Sequence, residues 1–285
     1  MQGYRSALVA LSLLSGVALM QAEPARAAAA GTSVELELMT WPEVKAAIAA
    51  GKTTALFYTG GVEQRGPQNA TGGHNMMARP IVKAIAEKLG NAIAMPVMPF
   101  SPTGMSADLP GSLDLPVELL GPVMERLAED AIVNGFTTII LMGDSGGGQG
   151  PDGVYASVAK KLDDKHKAKG VRVFYADESY TKANREFSDM LVKEGYPAGT
   201  HAGILDTSLM MYLDTENKYV RRDQLANALG DPVRPRGQKP EPGYKPINNG
   251  ISGDARRSSD EIGKRFFDYK VDTAVKQIKA LQASR

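Results

Sequence analysis

Apolar and polar positions follow two repeating patterns along most of the chain. Four short stretches are mostly apolar and rich in β-branched or aromatic residues, at 53–59, 92–98, 137–142 and 171–176, as is typical of strands in a buried parallel sheet. Around them, apolar residues recur at helical spacing, which predicts helices at 41–50, 77–89, 117–134, 154–167, 181–193 and 259–283. Strands that alternate with helices predict an α/β fold with a mostly parallel sheet and helices on both faces.

Two segments, 99–116 and 234–253, interrupt this alternation and are rich in glycine and proline. The first is too long for an ordinary connection between elements, so we expect it to be a functional loop. Neither segment has the character of a linker between domains, and the chain shows no internal repeat. The sequence therefore predicts a single domain, at 28–285.

The first residues have the organisation of a signal peptide. Arg5 supplies a positive charge, residues 6–20 form an apolar run, and Ala25-Arg-Ala27 matches an A-x-A cleavage site. The apolar run is too short for a membrane-spanning helix, although an uncleaved anchor is the alternative. We expect residues 1–27 to be removed and the protein to be exported to a bacterial periplasm, with no membrane attachment after cleavage.

Composition narrows the classes of function. The chain has no cysteine, which excludes disulfides, a lipoprotein anchor, thiolate metal ligands and a cysteine nucleophile. Removing residues 1–27 takes away two basic residues and one acidic residue, and leaves 31 of each. A neutral chain without a basic stripe is not typical of nucleic-acid binding, so we expect a small, neutral or weakly charged substrate.

The most informative motif follows the first predicted strand. It contains Glu63-Gln-Arg65-Gly-Pro and then Gly-Gly-His74. Open α/β sheets bind ligands at the carboxyl ends of their strands, so a carboxylate and an imidazole at this place indicate a functional site. Glu63 and Arg65 are two residues apart and point in opposite directions if the loop is extended. Arg65 is then the one expected to miss the pocket.

This motif resembles the opening signature of the creatininase family, metal-dependent amidohydrolases with the pattern E-Q-H-G-P-H-L-P-L-x-T-D. Further similarities follow in the family's order at 39–44, 101–113, 135–141, 201–208 and 250–254. Together they extend over residues 39–281, nearly the whole chain after the signal peptide. The resemblance implies a creatininase-like α/β fold, a small-molecule substrate and a homo-oligomer.

The family's metal-binding positions are changed in this chain. Glu63 keeps the first carboxylate. The family's histidines are replaced by Arg65, Gln68 and Ser145, its aspartate by His74, and its two glutamates by Ile204 and Asp206. An intact two-metal centre is not expected, because a guanidinium has no lone pair for a cation. Arg65 is instead expected to replace one ion electrostatically. We expect the remaining oxygen and nitrogen donors to hold at most one zinc, manganese or iron ion. These donors are Glu63, His74, Asp144 and Asp206, and a metal-free site is the alternative.

Two of the three histidines, His74 and His201, lie in predicted loops that carry the resemblance, whereas His166 lies in a charged helical stretch and is expected to be exposed. The resemblance implies that His201 acts at the substrate as an acid, a base or a binding group. Ser145, in Gly-Asp-Ser-Gly-Gly147, also fits the G-x-S-x-G nucleophile pattern of α/β-hydrolases. The same letters occur in trypsin-like proteases, but those are all-β proteins and usually disulfide-bonded.

These observations predict a hydrolase that acts on a small cyclic amide, an amide or a lactone in a remodelled site. Water or Ser145 would attack the carbonyl, Arg65 and the backbone amides of 146–148 would stabilise the oxyanion, and His201 would move the proton. The residues assigned to substrate binding are Ser106, Gly146, Gly147 and Gln68. The alternatives are a metal-free serine hydrolase that uses Ser145, or a non-hydrolytic protein, namely a metabolite-binding pseudoenzyme, a lyase or an isomerase.

Overall fold

The computed structural model of the chain describes residues 33–105, 108–234 and 238–284. The predicted signal peptide and Ser106, a predicted substrate contact, lie outside the described residues, so both stay predictions. Within the described part, no helix has the length and apolar character needed to cross a membrane.

The described residues form one parallel sheet of four strands. They are β1 (Thr54–Thr59), β2 (Ala92–Ala94), β3 (Thr138–Gly143) and β4 (Arg172–Tyr175), in the order β2-β1-β3-β4. All three strand pairs are parallel, and β1 pairs with β3 along its whole length. The predicted parallel sheet is confirmed. The second strand is shorter than predicted because Pro96 has no backbone N–H for the ladder, and only a bridge between Thr59 and Met98 continues the pairing.

Seven α-helices accompany the sheet in the described residues. They are α1 (Trp41–Ala49), α2 (Gly73–Leu89), α3 (Val117–Val133), α4 (Val154–His166), α5 (Thr181–Lys193), α6 (Ile204–Leu213) and α7 (Asp260–Ala283). Helix α6 was not predicted because most of its side chains are buried, and a mostly buried helix lacks the exposed polar stripe that periodicity detects. Helix α2 begins four residues earlier than predicted, which places His74 in its first turn and not in a loop.

The helices cover both faces of the sheet, as predicted. Successive strand residues point to opposite faces, so Leu56 and Tyr58 pack with α2, α5, α6 and α7. Ala55 and Phe57 pack on the other side with α1, α3 and α4. Two apolar cores thus clamp the sheet and fix the positions of its strand ends.

His166 is buried, so the expectation that it is exposed was wrong. It is 6% exposed, and its Nε2 lies 3.0 Å from a carboxylate oxygen of Glu129 on α3. The prediction rested on the charged residues next to it in the sequence, at 163–167, and not on the side of the helix to which its side chain points. Tyr155, Val158, Leu162 and His166 recur at helical spacing on the buried face of α4, and this spacing is visible in the sequence alone.

Helices α6 and α7 approach closely at Gly263. A Cβ atom at this position would lie 1.9 Å from the backbone oxygen of Ser208, which cannot rotate away. We expect Gly263→Ala to lower the free energy of unfolding by about 1–3 kcal/mol through overpacking, net of a helix-propensity gain of at most about 1 kcal/mol.

The measurement is the urea unfolding curve of each variant. Lys276→Ala on the exposed side of the same helix is the control, and it is expected to change stability by less than about 0.5 kcal/mol. A Gly263→Ala protein as stable as the control would show that α6 and α7 can separate without cost.

Candidate active site

A cavity of about 790 Å³ opens at the carboxyl ends of β1 and β3. Its wall combines the two strand ends with the loop at 102–104, the start of α5 and the turn before α6. The predicted site residues that line it are Glu63, His74, Ser145, Gly146, Gly147, His201 and Asp206. The structure therefore brings most of the predicted residues together, while their individual roles stay predictions.

The fold places each of these side chains through a different element. Glu63 follows β1, and its N–H donates to the carbonyl of Thr71 at 2.9 Å. Asp144 and Ser145 follow β3, and the N–H of Asp144 extends the ladder to Thr59 at 2.9 Å. His74 stands in the first turn of α2. The four side chains thus meet because parallel strands end at one edge of the sheet.

His74 is held through both ring nitrogens. Its Nε2 lies 2.8 Å from Nη1 of Arg65, and its Nδ1 lies 3.0 Å from Oδ2 of Asp144. A guanidinium can only donate, so Nε2 accepts from Arg65 and Nδ1 carries the proton that is donated to Asp144. Since neither nitrogen is free, His74 is a fixed part of the wall and is not placed to act as a base.

Arg65 does not line the cavity, as the spacing of the motif indicated. Its side chain is 1% exposed and lies behind His74. Nη2 donates to Oδ2 of Asp206 at 2.5 Å, and the same oxygen accepts the N–H of Ala202 at 2.9 Å. The direct oxyanion contact predicted for Arg65 is therefore not possible in this arrangement. Its positive charge affects the cavity through His74 and Asp206, which it contacts and which line the cavity.

Asp144 also does not line the cavity and forms a buried ion pair with Lys270. The two side chains are 1% and 2% exposed, and Lys270 Nζ lies 3.2 Å from Oδ1 of Asp144. Burial opposes ionisation of Asp144, but the charge of Lys270 and the hydrogen bond from His74 outweigh it, so its pKa lies well below the usual range. Asp144 is an anion that fixes the orientation of His74.

Two residues of the site, Lys270 and Tyr180, were not predicted, although the sequence contains a signal for each of them. Lys270 shares the buried face of α7 with Phe266 and Ala274 at helical spacing, so a charge stands in an apolar stripe. Tyr180 lines the cavity and follows the carboxyl end of β4, where the strand-end rule also applies. Burial and the nearby carboxylates raise the pKa of Tyr180, so its hydroxyl keeps its proton and can donate it to a ligand.

Glu63 and His201 form a pair that faces the cavity. Nε2 of His201 lies 2.7 Å from the carbonyl oxygen of Gln64, and a carbonyl only accepts, so Nε2 carries the proton. The lone pair of Nδ1 is therefore free, and Nδ1 lies 3.7 Å from Oε2 of Glu63. Burial raises the pKa of Glu63, but the surrounding positive charge, which includes that of Arg65, outweighs this effect, so the pKa lies below its usual value.

Ser145 lines the cavity without a base beside it. Among the described residues, no hydrogen bond joins its Oγ to a histidine, and both nitrogens of His74 are bound elsewhere. The backbone carbonyl of Ser145 accepts from Nε2 of Gln149 at 2.5 Å. The G-x-S-x-G spacing is thus present, but the nucleophile and base that it suggests are not in contact.

Gln68 does not contact the cavity, which corrects its predicted role in substrate binding. It is fully buried, and its Nε2 donates to the carbonyl of Ala202 at 2.9 Å and to Thr207 Oγ1 at 3.1 Å. Both acceptors belong to the turn and helix after His201. Gln68 therefore holds the His201 turn in place and does not meet the substrate.

The four predicted metal ligands do not surround one point. Asp144 lies on the Nδ1 side of His74, whereas Glu63 and Asp206 lie on the side where Arg65 stands. Among the residues that the structure describes, no three His, Asp or Glu side chains form a group that could hold an ion. The donors present do not fit a divalent metal, because a guanidinium occupies the place between them.

A family model and several solved structures match most of this chain. The family model described as creatininase, creatinine amidohydrolase, matches residues 37–278. Among solved structures, one described as creatininase Mn is 20% identical with a TM-score of 0.67, and the alignment covers 87% of this chain and 98% of that one. A creatinine amidohydrolase (creatininase) is 19% identical with a TM-score of 0.66, and the alignment covers 86% and 96%.

Two further solved structures bear on ligands of those proteins. A creatininase variant of Zn–Zn type has a TM-score of 0.68 at 20% identity, and a creatininase variant complexed with creatine has a TM-score of 0.67 at 20% identity, each with 87% of this chain and 98% of that one covered. No curated protein matches the chain. At these identities the structural likeness shows the fold, and the predicted homo-oligomer stays a prediction.

Proposed function

Because the chain belongs to the creatininase family, we propose that it hydrolyses a small cyclic amide, an open amide or a lactone in the cavity at the ends of β1 and β3. The volume of about 790 Å³ lies within the range of small-molecule sites. The side chains that α5 presents to the cavity include Thr181, Asn184 and Ser188, which supports a polar substrate.

The observation that carries the proposal is the paired geometry of Glu63 and His201. The hydrogen bond from Nε2 of His201 to the backbone leaves Nδ1 as the basic atom, and the Glu63 carboxylate lies 3.7 Å from it. A water molecule within reach of Nδ1 would transfer a proton to it while attacking the substrate carbonyl. The imidazolium that forms is stabilised by Glu63, and general base catalysis of this kind contributes about 10²–10⁴-fold.

The remaining steps use groups on the cavity wall. Attack of water gives a tetrahedral intermediate whose oxyanion is proposed to accept hydrogen bonds from the amides at 146–147 and from the Tyr180 hydroxyl. Collapse breaks the carbonyl bond to nitrogen or oxygen, and Nδ1 of His201 returns its proton to the leaving group. The products are a carboxylic acid with an amine or an alcohol, joined in one molecule when the substrate is cyclic.

Hydrolysis is tested by incubating the purified protein with panels of cyclic amides, open amides and lactones in water labelled with ¹⁸O. We expect one labelled oxygen in the carboxylate of the product. We also expect Ser145→Ala to keep its rate within about threefold, since water and not Ser145 attacks, whereas loss of a true nucleophile costs orders of magnitude.

Two results would contradict this scheme. A loss of about a hundredfold or more in Ser145→Ala would establish the serine mechanism, because removing a nucleophile has effects of this size. Conversion of a substrate without gain of water would show a lyase or an isomerase, in which the same His201 and Glu63 pair abstracts a proton from carbon.

A further inference from the structure

The contact between His74 and Arg65 has the geometry of a metal site. Histidines that bind zinc commonly donate their second ring N–H to a carboxylate, which fixes the ring and makes the ligating nitrogen more basic. His74 has this arrangement, since Nδ1 donates to Asp144 at 3.0 Å. Its ligating nitrogen, however, faces Nη1 of Arg65 at 2.8 Å. The guanidinium thus stands where the histidine would present its lone pair to an ion.

The groups around the guanidinium are those that a cation attracts. Besides His74, Arg65 contacts the carboxylate of Asp206, and Oε2 of Glu63 lies 3.3 Å from the same imidazole nitrogen. One carboxylate and one nitrogen lone pair thus contact a fixed positive charge, and a second carboxylate lies beside the same imidazole. Without that charge, the Asp206 carboxylate would lose its cation in a largely buried place, which is unfavourable.

Distances exclude an ion alongside Arg65. A zinc ion lies about 2.0–2.1 Å from an imidazole nitrogen along its lone pair, whereas Nη1 of Arg65 lies at 2.8 Å on that side. An ion bound to Nε2 would therefore be less than about 1 Å from Nη1 if both followed the lone-pair direction. The two cations compete for the same point, and only one of them can be bound to His74.

Gly73 provides the space that Arg65 needs. A Cβ atom at position 73 would lie 2.7 Å from Nε and 2.8 Å from Cδ of Arg65, so any side chain there would push the arginine out. The same Cβ atom would lie 2.8 Å from Sδ of Met210. Glycine at 73 therefore leaves the room in which the arginine side chain is packed.

From these contacts we infer that the guanidinium of Arg65 permanently replaces a divalent ion, so that the protein binds no metal in this cavity. This goes beyond the proposed hydrolysis, which concerns the reaction and not the ion content. A guanidinium supplies charge but no coordination position for water. In the proposed reaction, activation of water therefore falls to His201 and Glu63.

The test is the metal content of the protein, measured by elemental analysis after incubation with zinc or manganese and removal of free ions. We expect the native protein to retain less than about one ion per ten chains, and Arg65→His to retain about one zinc per chain, because the new imidazole joins His74, Glu63 and Asp206 around the vacated space. Zinc should also raise the melting temperature of Arg65→His and leave that of the native protein unchanged.

Two control variants separate the effect of the positive charge at 65 from the effect of the metal ligands. Arg65→Lys keeps a positive charge at this point and is expected to bind no zinc, whereas Arg65→His combined with His74→Ala should lose the zinc that Arg65→His gains. About one tightly held ion per native chain would overturn the inference. This measurement uses only the native protein, so it tests the inference even if a variant does not fold. Binding is measured without substrate, so a failed hydrolysis assay has no bearing on it.

Discussion

Lys270→Met is expected to lower the free energy of unfolding by about 3–5 kcal/mol, because it leaves the buried carboxylate of Asp144 without its cation. Lys270 is 2% exposed and Asp144 is 1% exposed, and Nζ lies 3.2 Å from Oδ1. Methionine keeps the apolar stem that packs by the ring of Phe266, 5.1 Å from Nζ. The loss therefore reports the charge and not a cavity.

The pH dependence of this loss has a definite sign. The folded-state pKa of Asp144 is lowered, so its contribution to stability is present above its unfolded pKa of about 3.9 and is lost as the pH falls through the folded pKa. In Lys270→Met the buried carboxyl is expected to take up a proton at a higher pH. The stability difference between the two proteins should therefore be largest near neutral pH and become smaller in acid.

Urea unfolding at about pH 7 and about pH 4 measures both effects. The matched control is Lys264→Met on the same helix, whose partner Asp268 is exposed, and which is expected to cost only about 0.3–0.5 kcal/mol at any of these pH values. Equal losses in the two lysine variants would show that the buried ion pair does not stabilise the fold.

His201→Gln is expected to reduce kcat/KM for the proposed hydrolysis by about 10²–10⁴-fold, the usual contribution of a general base. The glutamine amide can still donate to the carbonyl of Gln64, as Nε2 of His201 does at 2.7 Å, but it has no basic nitrogen in place of Nδ1. The turn should thus keep its position while the proton acceptor is lost. We expect the effect mainly in kcat, since Nδ1 acts in the transition state.

Steady-state kinetics of His201→Gln and of His166→Gln, a variant of a buried histidine outside the cavity, provide the comparison. His166→Gln removes the imidazole that contacts Glu129 on the far side of the sheet, and it should change stability but leave kcat/KM within about twofold of the native value. If His201→Gln were equally active, the base would have to be another residue, and the proposed role of the His201 and Glu63 pair would be wrong.

The fold was largely predictable because buried parallel strands have an unambiguous pattern. Strands β1, β3 and β4 consist mainly of apolar residues, and their alternation with amphipathic helices leaves few other architectures. Where the prediction was wrong, local information was insufficient. Most side chains of helix α6 are buried, so no exposed polar stripe marks it as a helix. The first turn of α2 begins with Gly73, which gives no helical signal.

The convergence of the site was predictable, but its chemistry was not. Strand ends on one edge of a parallel sheet must lie near each other, so Glu63 and Ser145 could be placed together from topology. The chemical role of each side chain depends on its hydrogen bonds, which the sequence does not show. Whether His74 is a ligand depends on Arg65 and Asp144 at its two nitrogens, and the charge that fixes Asp144 comes from Lys270 on the last helix.

Arg65 and Gly73 fit together so closely that substitutions at the two positions are coupled. A Cβ atom at 73 would lie 2.7 Å from Nε of Arg65 and 2.8 Å from Sδ of Met210, so a larger residue at 73 can be accommodated only if these side chains move. Loss of the arginine alone would leave the Asp206 carboxylate without the guanidinium that it contacts. Single substitutions at 65 or 73 are therefore expected to lower stability, and a neutral change of this pair has to alter both residues.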